Sequence, residues 1–126
     1  MKSARLPLLT IRQWIFENAD ARPQIGPISE EIRWGQASYL THKTGAGSAL
    51  RLDRWQQDRI GLFFPCKTQL GNRFAAEYDG VLRIRKNRVI SLQPDEILPE
   101  SALRHCIALA LTYHLWKDEC KVWERL

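Results

Sequence analysis

Cys66 is placed where a nucleophile would be looked for first. It follows Pro65 and stands just before Thr68, a residue suited to cap a helix carrying Leu70, Phe74 and Tyr78. A helix N-terminus lowers a thiol pKa, and a histidine within reach would complete a Cys/His pair. The three histidines are His42, His105 and His114, and nothing in their spacing names one as the partner. His105 and His114 lie nine apart on one expected helix, so they face different sides and cannot form a His-x-x-x-His metal pair. His114 falls on the apolar stripe of that helix and reads as a core histidine. Cys66, Cys106 and Cys120 form no Cys-x-x-Cys pair and read as reduced thiols, with Cys106 a small core residue. Thr44-Gly45-Ala46-Gly47 lacks the following Gly-Lys-Ser/Thr of a phosphate loop and reads as a hairpin turn. Of the adjacent carboxylates, Asp95-Glu96 and Glu30-Glu31, the latter falls in the first turn of an expected short helix, where the helix dipole favours negative charge. These residues assemble no catalytic set, and the expectation is a non-enzymatic domain.

Length and composition narrow the class. A chain of 126 residues has room for one core, so a single domain over 1–126 is expected, its folded part running from about 8 to 117. The hydrophobic fraction of 44% and charged fraction of 26% are those of a globular protein. No apolar run reaches the length of a membrane span, and the start Met1-Lys2-Ser3-Ala4-Arg5 is too polar for a signal peptide, so a cytoplasmic protein without a membrane partner is expected. The net charge of +5 is basic, but the cations are spread along the chain. The densest group, Arg83, Arg85, Lys86 and Arg88, alternates with apolar residues like the solvent face of a hairpin. Charge alone therefore argues against nucleic acid as a partner.

The elements that must position these residues follow from periodicity. Leu8, Ile11, Ile15 and Ala19 recur at helical spacing, predicting a helix over about 7–21. Ile28 and Ile32 around Glu30-Glu31 suggest a short second helix ending near Trp34-Gly35. Strands are expected at 36–42, 49–53 and 60–64, forming an antiparallel meander, with 54–58 as a loop. A helix from Thr68 closes at Asp79-Gly80. Two more strands carry Leu82, Ile84, Ile90 and Leu92. For all four to face one core, the loop between the strands must hold an odd number of residues, and Lys86-Asn87-Arg88 supplies three. A last helix runs from Pro99 or Glu100 to about Asp118, with Leu103, Ile107, Ala110, Leu111 and His114 on one stripe and Leu109, Tyr113 and Trp116 on a second. The expectation is an α+β fold of order α-α-β-β-β-α-β-β-α, an antiparallel five-stranded sheet with the N- and C-terminal helices packed on one face. Trp14 and Trp116 read as core residues. Trp34 and Trp55, at element boundaries, could line a pocket or close the end of a core.

The run Ile32-Arg33-Trp34-Gly35-Gln36-Ala37-Ser38-Tyr39-Leu40 resembles the signature of the YdhG-like family, a domain of unknown function, with Ala37 where that family carries Pro. Pro65 to Leu70, Asn87 to Ile90, and Ala102-Leu103 to Tyr113-His114 resemble three further family segments in the same order. The resemblance implies a frataxin-like sandwich. Some members of the family are described as iron chaperones. Such a role calls for exposed carboxylates, and Glu17, Asp20 and Glu30 are the candidates here. The leading expectation is instead a binding domain for a small ligand or a protein. Its ligand would sit near Trp34, Gly35, Gln36 and Tyr39, together with Arg51, Cys66 and Thr68, because the most distinctive motif lies where Gly allows close backbone approach. Iron binding and a protein or nucleic-acid interaction through the basic hairpin stand as alternatives. Oligomeric state is not legible.

Overall fold

The structure is a computed structural model describing residues 3–118. Its order is α1 (Arg5–Ala21), β1 (Ser29–Arg33), β2 (Gln36–Leu40), β3 (Leu50–Trp55), β4 (Arg59–Phe63), α2 (Leu70–Glu77), β5 (Arg83–Arg85), β6 (Val89–Leu92), α3 (Glu100–Leu111) and α4 (Tyr113–Trp116). Six strands form one antiparallel sheet in the order β1-β2-β3-β4-β6-β5. The α+β class and the antiparallel sheet agree with the sequence expectation. Cys120 and the tail around Val122 and Trp123 lie outside the described residues.

The sixth strand is a correction. The expected short helix around Glu30-Glu31 is strand β1, paired with β2 from Ser29↔Leu40 to Arg33↔Gln36. Trp34 and Gly35 make the two-residue turn, both with positive φ, 55° and 75°. Such turns match the twist of the flanking strands. Ile28 and Ile32 fit helical spacing, but the positive φ at Trp34 and Gly35 folds this segment back into a hairpin with β2.

The core lies between the sheet and α1 and α3. Ile11 and Ile15 of α1 and Leu103 and Ile107 of α3 meet Leu50, Leu52, Ile60, Leu62 and Ile90 of the sheet. Ile84 pairs with Ile90 and Arg85 with Val89, so Lys86-Asn87-Arg88 is the three-residue loop that parity required. Lys86 and Asn87 both take φ of 52° there. Trp14 and Cys106 are buried, as the sequence indicated, and burial pushes the Cys106 thiol up to about 12.

The last helix is interrupted, a second correction. Thr112 ends α3, its hydroxyl donating to the Ala108 carbonyl at 2.7 Å. Thr44-Gly45-Ala46-Gly47, read from sequence as a hairpin turn, belongs to a longer loop that docks here. Ser48 N–H donates to the Ala110 carbonyl and His114 N–H to the Ala46 carbonyl, each at 2.8 Å. The helical bond that would join His114 to Ala110 is thus replaced by two bonds to the loop. The break also turns His114 to solvent rather than into the core. Between these bonds Gly47 touches the helix: a Cβ there would stand 2.6 Å from the Leu111 Cα and carbonyl oxygen. Gly47→Ala is expected to destabilise the protein by about 1–3 kcal/mol through this overpacking. Urea unfolding should show a lowered midpoint at unchanged slope.

Candidate functional site

Helices cover one face of the sheet. Alternation along each strand then fixes what the opposite face carries. One cross-strand row runs Glu31, Ser38, Arg51, Phe63, Val89, Arg85, and the next includes Asp53, Gly61, Ser91 and Arg83. This open face bears charged and aromatic side chains where the helix-covered face bears Leu and Ile.

A cleft of about 490 Å³ lies on the open face. Its aromatic lining is Phe64, which is buried, with Trp55 and Phe63, edge to face with centroids 5.8 Å apart and planes at 76°. Gly61 makes this packing possible, since a Cβ there would stand 2.6 Å from Val89 Cγ2 and 2.9 Å from the Phe63 ring. One wall is the segment Pro65–Lys67 and another is Arg88 of the β5–β6 loop. Asn87 ties these together: its Nδ2 donates to the Cys66 carbonyl at 3.1 Å, and Phe64 N–H donates to the Arg88 carbonyl at 2.9 Å. Gln36 lines the cleft from β2 and is oriented by Asp53, with Nε2 donating to Oδ2 at 3.1 Å.

The charge of the cleft is one-sided. Arg51, Lys67 and Arg88 line it, with Arg54 reaching its edge from the opposite parity of β3, and no carboxylate among the described residues does. None of these four makes an ion pair among the described residues. Lys86 Nζ lies 5.8 Å from the centroid of the Trp55 ring. Carboxylates of the helical side are engaged instead. Glu30 takes two hydrogen bonds from Arg12, and Arg104 bridges Glu17 and Glu100. Two of the three iron candidates are thus held by arginines, and no group of three or more metal-ligating side chains forms among the described residues.

The structure divides the expected site. Gln36, Arg51 and Cys66 come together in the cleft. Tyr39 does not: it is buried on the helical side, edge-on to Phe16 at 6.1 Å, and burial followed by the nearby Glu30 carboxylate raises its phenol pKa. Trp34 neither plugs the core nor lines the cleft, being 87% exposed at the hairpin tip, and Gly35 serves the turn. Thr68 is structural, its hydroxyl donating to the Pro65 carbonyl at 2.7 Å and accepting from Leu70 N–H at 3.3 Å. No histidine lines the cleft, so Cys66 is not joined to one. His42 instead reaches Glu31 at 2.5 Å, and His105 meets the Tyr78 hydroxyl at 2.6 Å. Sequence reasoning missed Arg54, Phe63, Lys67 and Arg88. It also ended β3 at Asp53, which left Trp55 in a loop. The available signal was alternation: Arg51, Asp53 and Trp55 recur at every second residue.

No family model, no curated protein and no solved structure matches the chain.

Two outcomes follow from these placements. Trp34→Ala should change unfolding free energy by less than about 0.5 kcal/mol, since the ring contributes little packing. Glu31 accepts from Ser29, His42 and Arg33, which hold its carboxyl at about 2 against an ordinary 4.5. Its contribution is therefore complete above pH 4.5 and lost as pH falls toward 2. The melting difference between the wild type and Glu31→Gln should shrink to nothing across that window.

Proposed function

We propose that the chain is a non-enzymatic binding domain for an anion carrying a flat apolar ring, held in the cleft of the open sheet face. The observation that carries this reading is the set of four cations that, among the described residues, have no ion-pair partner and surround an aromatic lining free of carboxylates. Cations placed together repel one another, so an unneutralised set is an electrostatic demand for a negative partner. The half-buried Trp55 and Phe63 offer apolar surface to a ring between those charges. The cleft volume falls within the usual range for small-molecule sites. The assignment to the YdhG-like family, with its frataxin-like sandwich, rests on the four segments quoted above and remains part of this proposal, as does the cytoplasmic location.

Thermal unfolding with a nucleoside monophosphate, an aromatic carboxylate and inorganic phosphate tests the reading. A ring-bearing anion at a hundredfold its dissociation constant should add about 2.7 kcal/mol and raise the melting temperature by roughly 5 to 10 °C. Inorganic phosphate should act weakly. Arg51→Glu should remove most of the shift while leaving the unliganded protein folded. A panel without any shift, or a shift that survives Arg51→Glu unchanged, would sink the proposal.

A further inference from the structure

The cationic surface does not stop at the cleft. Arg83 and Arg85 lie on the same open face by register, and both are exposed without an ion-pair partner among the described residues. Arg85 and Arg51 stand in one cross-strand row with three strand intervals between them, roughly 14 Å. Cations at that reach exceed what a mononucleotide-sized ligand would engage. We infer that the natural ligand of this face is single-stranded nucleic acid, one base against Trp55 and Phe63 and the phosphates on either side along the arginines. This rests on the reading of the cleft as a site for a ring-bearing anion.

The chemistry favours a single strand over other polyanions. Stacking on an aromatic side chain requires an unstacked base, which a duplex does not offer. Among the described residues, the open face presents no helix that could enter a major groove. An acidic polypeptide would use the arginines but leave the aromatic pair without a flat partner. The cations that look scattered along the chain are gathered by strand alternation, because Arg51, Arg83 and Arg85 all point to one side.

The full chain should be titrated with a fluorescein-labelled single-stranded oligonucleotide of about eight residues, and in parallel with a nucleoside monophosphate. The oligonucleotide should bind at least tenfold more tightly. With about five phosphate contacts, its affinity should fall roughly a hundredfold between 50 and 200 mM salt. The double variant Arg83→Ala/Arg85→Ala should weaken the oligonucleotide roughly tenfold and leave the mononucleotide unchanged, since neither residue lines the cleft. Trp55→Phe should weaken both while the protein stays folded by circular dichroism. If the mononucleotide binds and the oligonucleotide gains nothing, the strand proposal is overturned and the cleft reading stands. If neither binds, the strand proposal falls, and the aromatic carboxylate then decides the cleft reading. Equal binding of duplex or of polyglutamate at matched charge would also overturn it, identifying the face as a general polyanion surface.

Discussion

The loop between β2 and β3 closes on the end of α3, and the geometry of the open face depends on that contact. Helix termini leave carbonyls without partners, and α3 ends inside the protein rather than in solvent. The loop supplies what is missing: Ser48 N–H reaches the Ala110 carbonyl, and the Ala46 carbonyl takes His114 N–H. Gly47 lets the two backbones touch. The loop is itself held from behind, with Gly47 N–H on the Thr41 hydroxyl at 2.9 Å and the Thr44 hydroxyl donating to the Ile25 carbonyl at 2.7 Å. Because β3 begins two residues after Ser48, this contact sets how β3 leaves the helix layer. Arg51 and Trp55 inherit their positions from it.

What lies across the sheet follows from the same layering. Helices on one face consume the apolar residues of each strand and leave the alternate residues to the other face. On β3 and β4 those alternates are Arg51, Asp53, Trp55, Arg59, Gly61 and Phe63. A bare sheet face must limit its exposed apolar area, and here Phe63 lies over Gly61 against Val89 while Lys86 extends near the Trp55 ring. Long cationic side chains can shelter aromatic surface while keeping their charges in water. On the proposed reading the same arrangement suits the face to a ligand, because Arg51, Lys67 and Arg88 form no ion pair among the described residues.

Much of the fold was legible because burial on one side enforces period. Ile11 and Ile15, Leu50 and Leu52, and Ile60 and Leu62 announce their elements, and the odd-numbered loop at Lys86-Asn87-Arg88 followed from parity alone. Two features resisted for stated reasons. In 28–33 the spacing of Ile28 and Ile32 satisfies a helix, while Ile32 in the strand is 83% exposed and so marks no buried face. What decides the matter is the Trp34-Gly35 turn, and Trp is not a residue from which positive φ is read. The break in the last helix resisted because its cause is a loop about 65 residues away in sequence, which no local pattern at Thr112 could announce. The site was half legible. Gln36, Arg51 and Cys66 belong to it, whereas Trp34 and Tyr39, on the most distinctive motif, serve the hairpin tip and the helical side.

Charge shows most clearly why sequence order misleads about surfaces. Along the chain, acids and bases alternate with little clustering, and a net +5 looks diffuse. Folding sorts them. On the helical side Arg12 meets Glu30, Arg73 meets Glu77, and Arg104 meets Glu17 and Glu100, so these charges cancel locally. On the open face Glu31 is committed to Ser29, Arg33 and His42, and Asp53 to Gln36, which leaves Arg51, Arg83 and Arg85 without a carboxylate partner among the described residues. Exposed pairs of this kind add little to stability, so their uneven placement is not a requirement of folding. Cations without ion-pair partners among the described residues thus gather on the face that also bears the half-buried Trp55 and Phe63. The proposed ring-bearing anion rests on that coincidence of unpaired charge and aromatic surface, whereas Glu17 and Glu30, two of the three carboxylates weighed for iron, are matched to arginines.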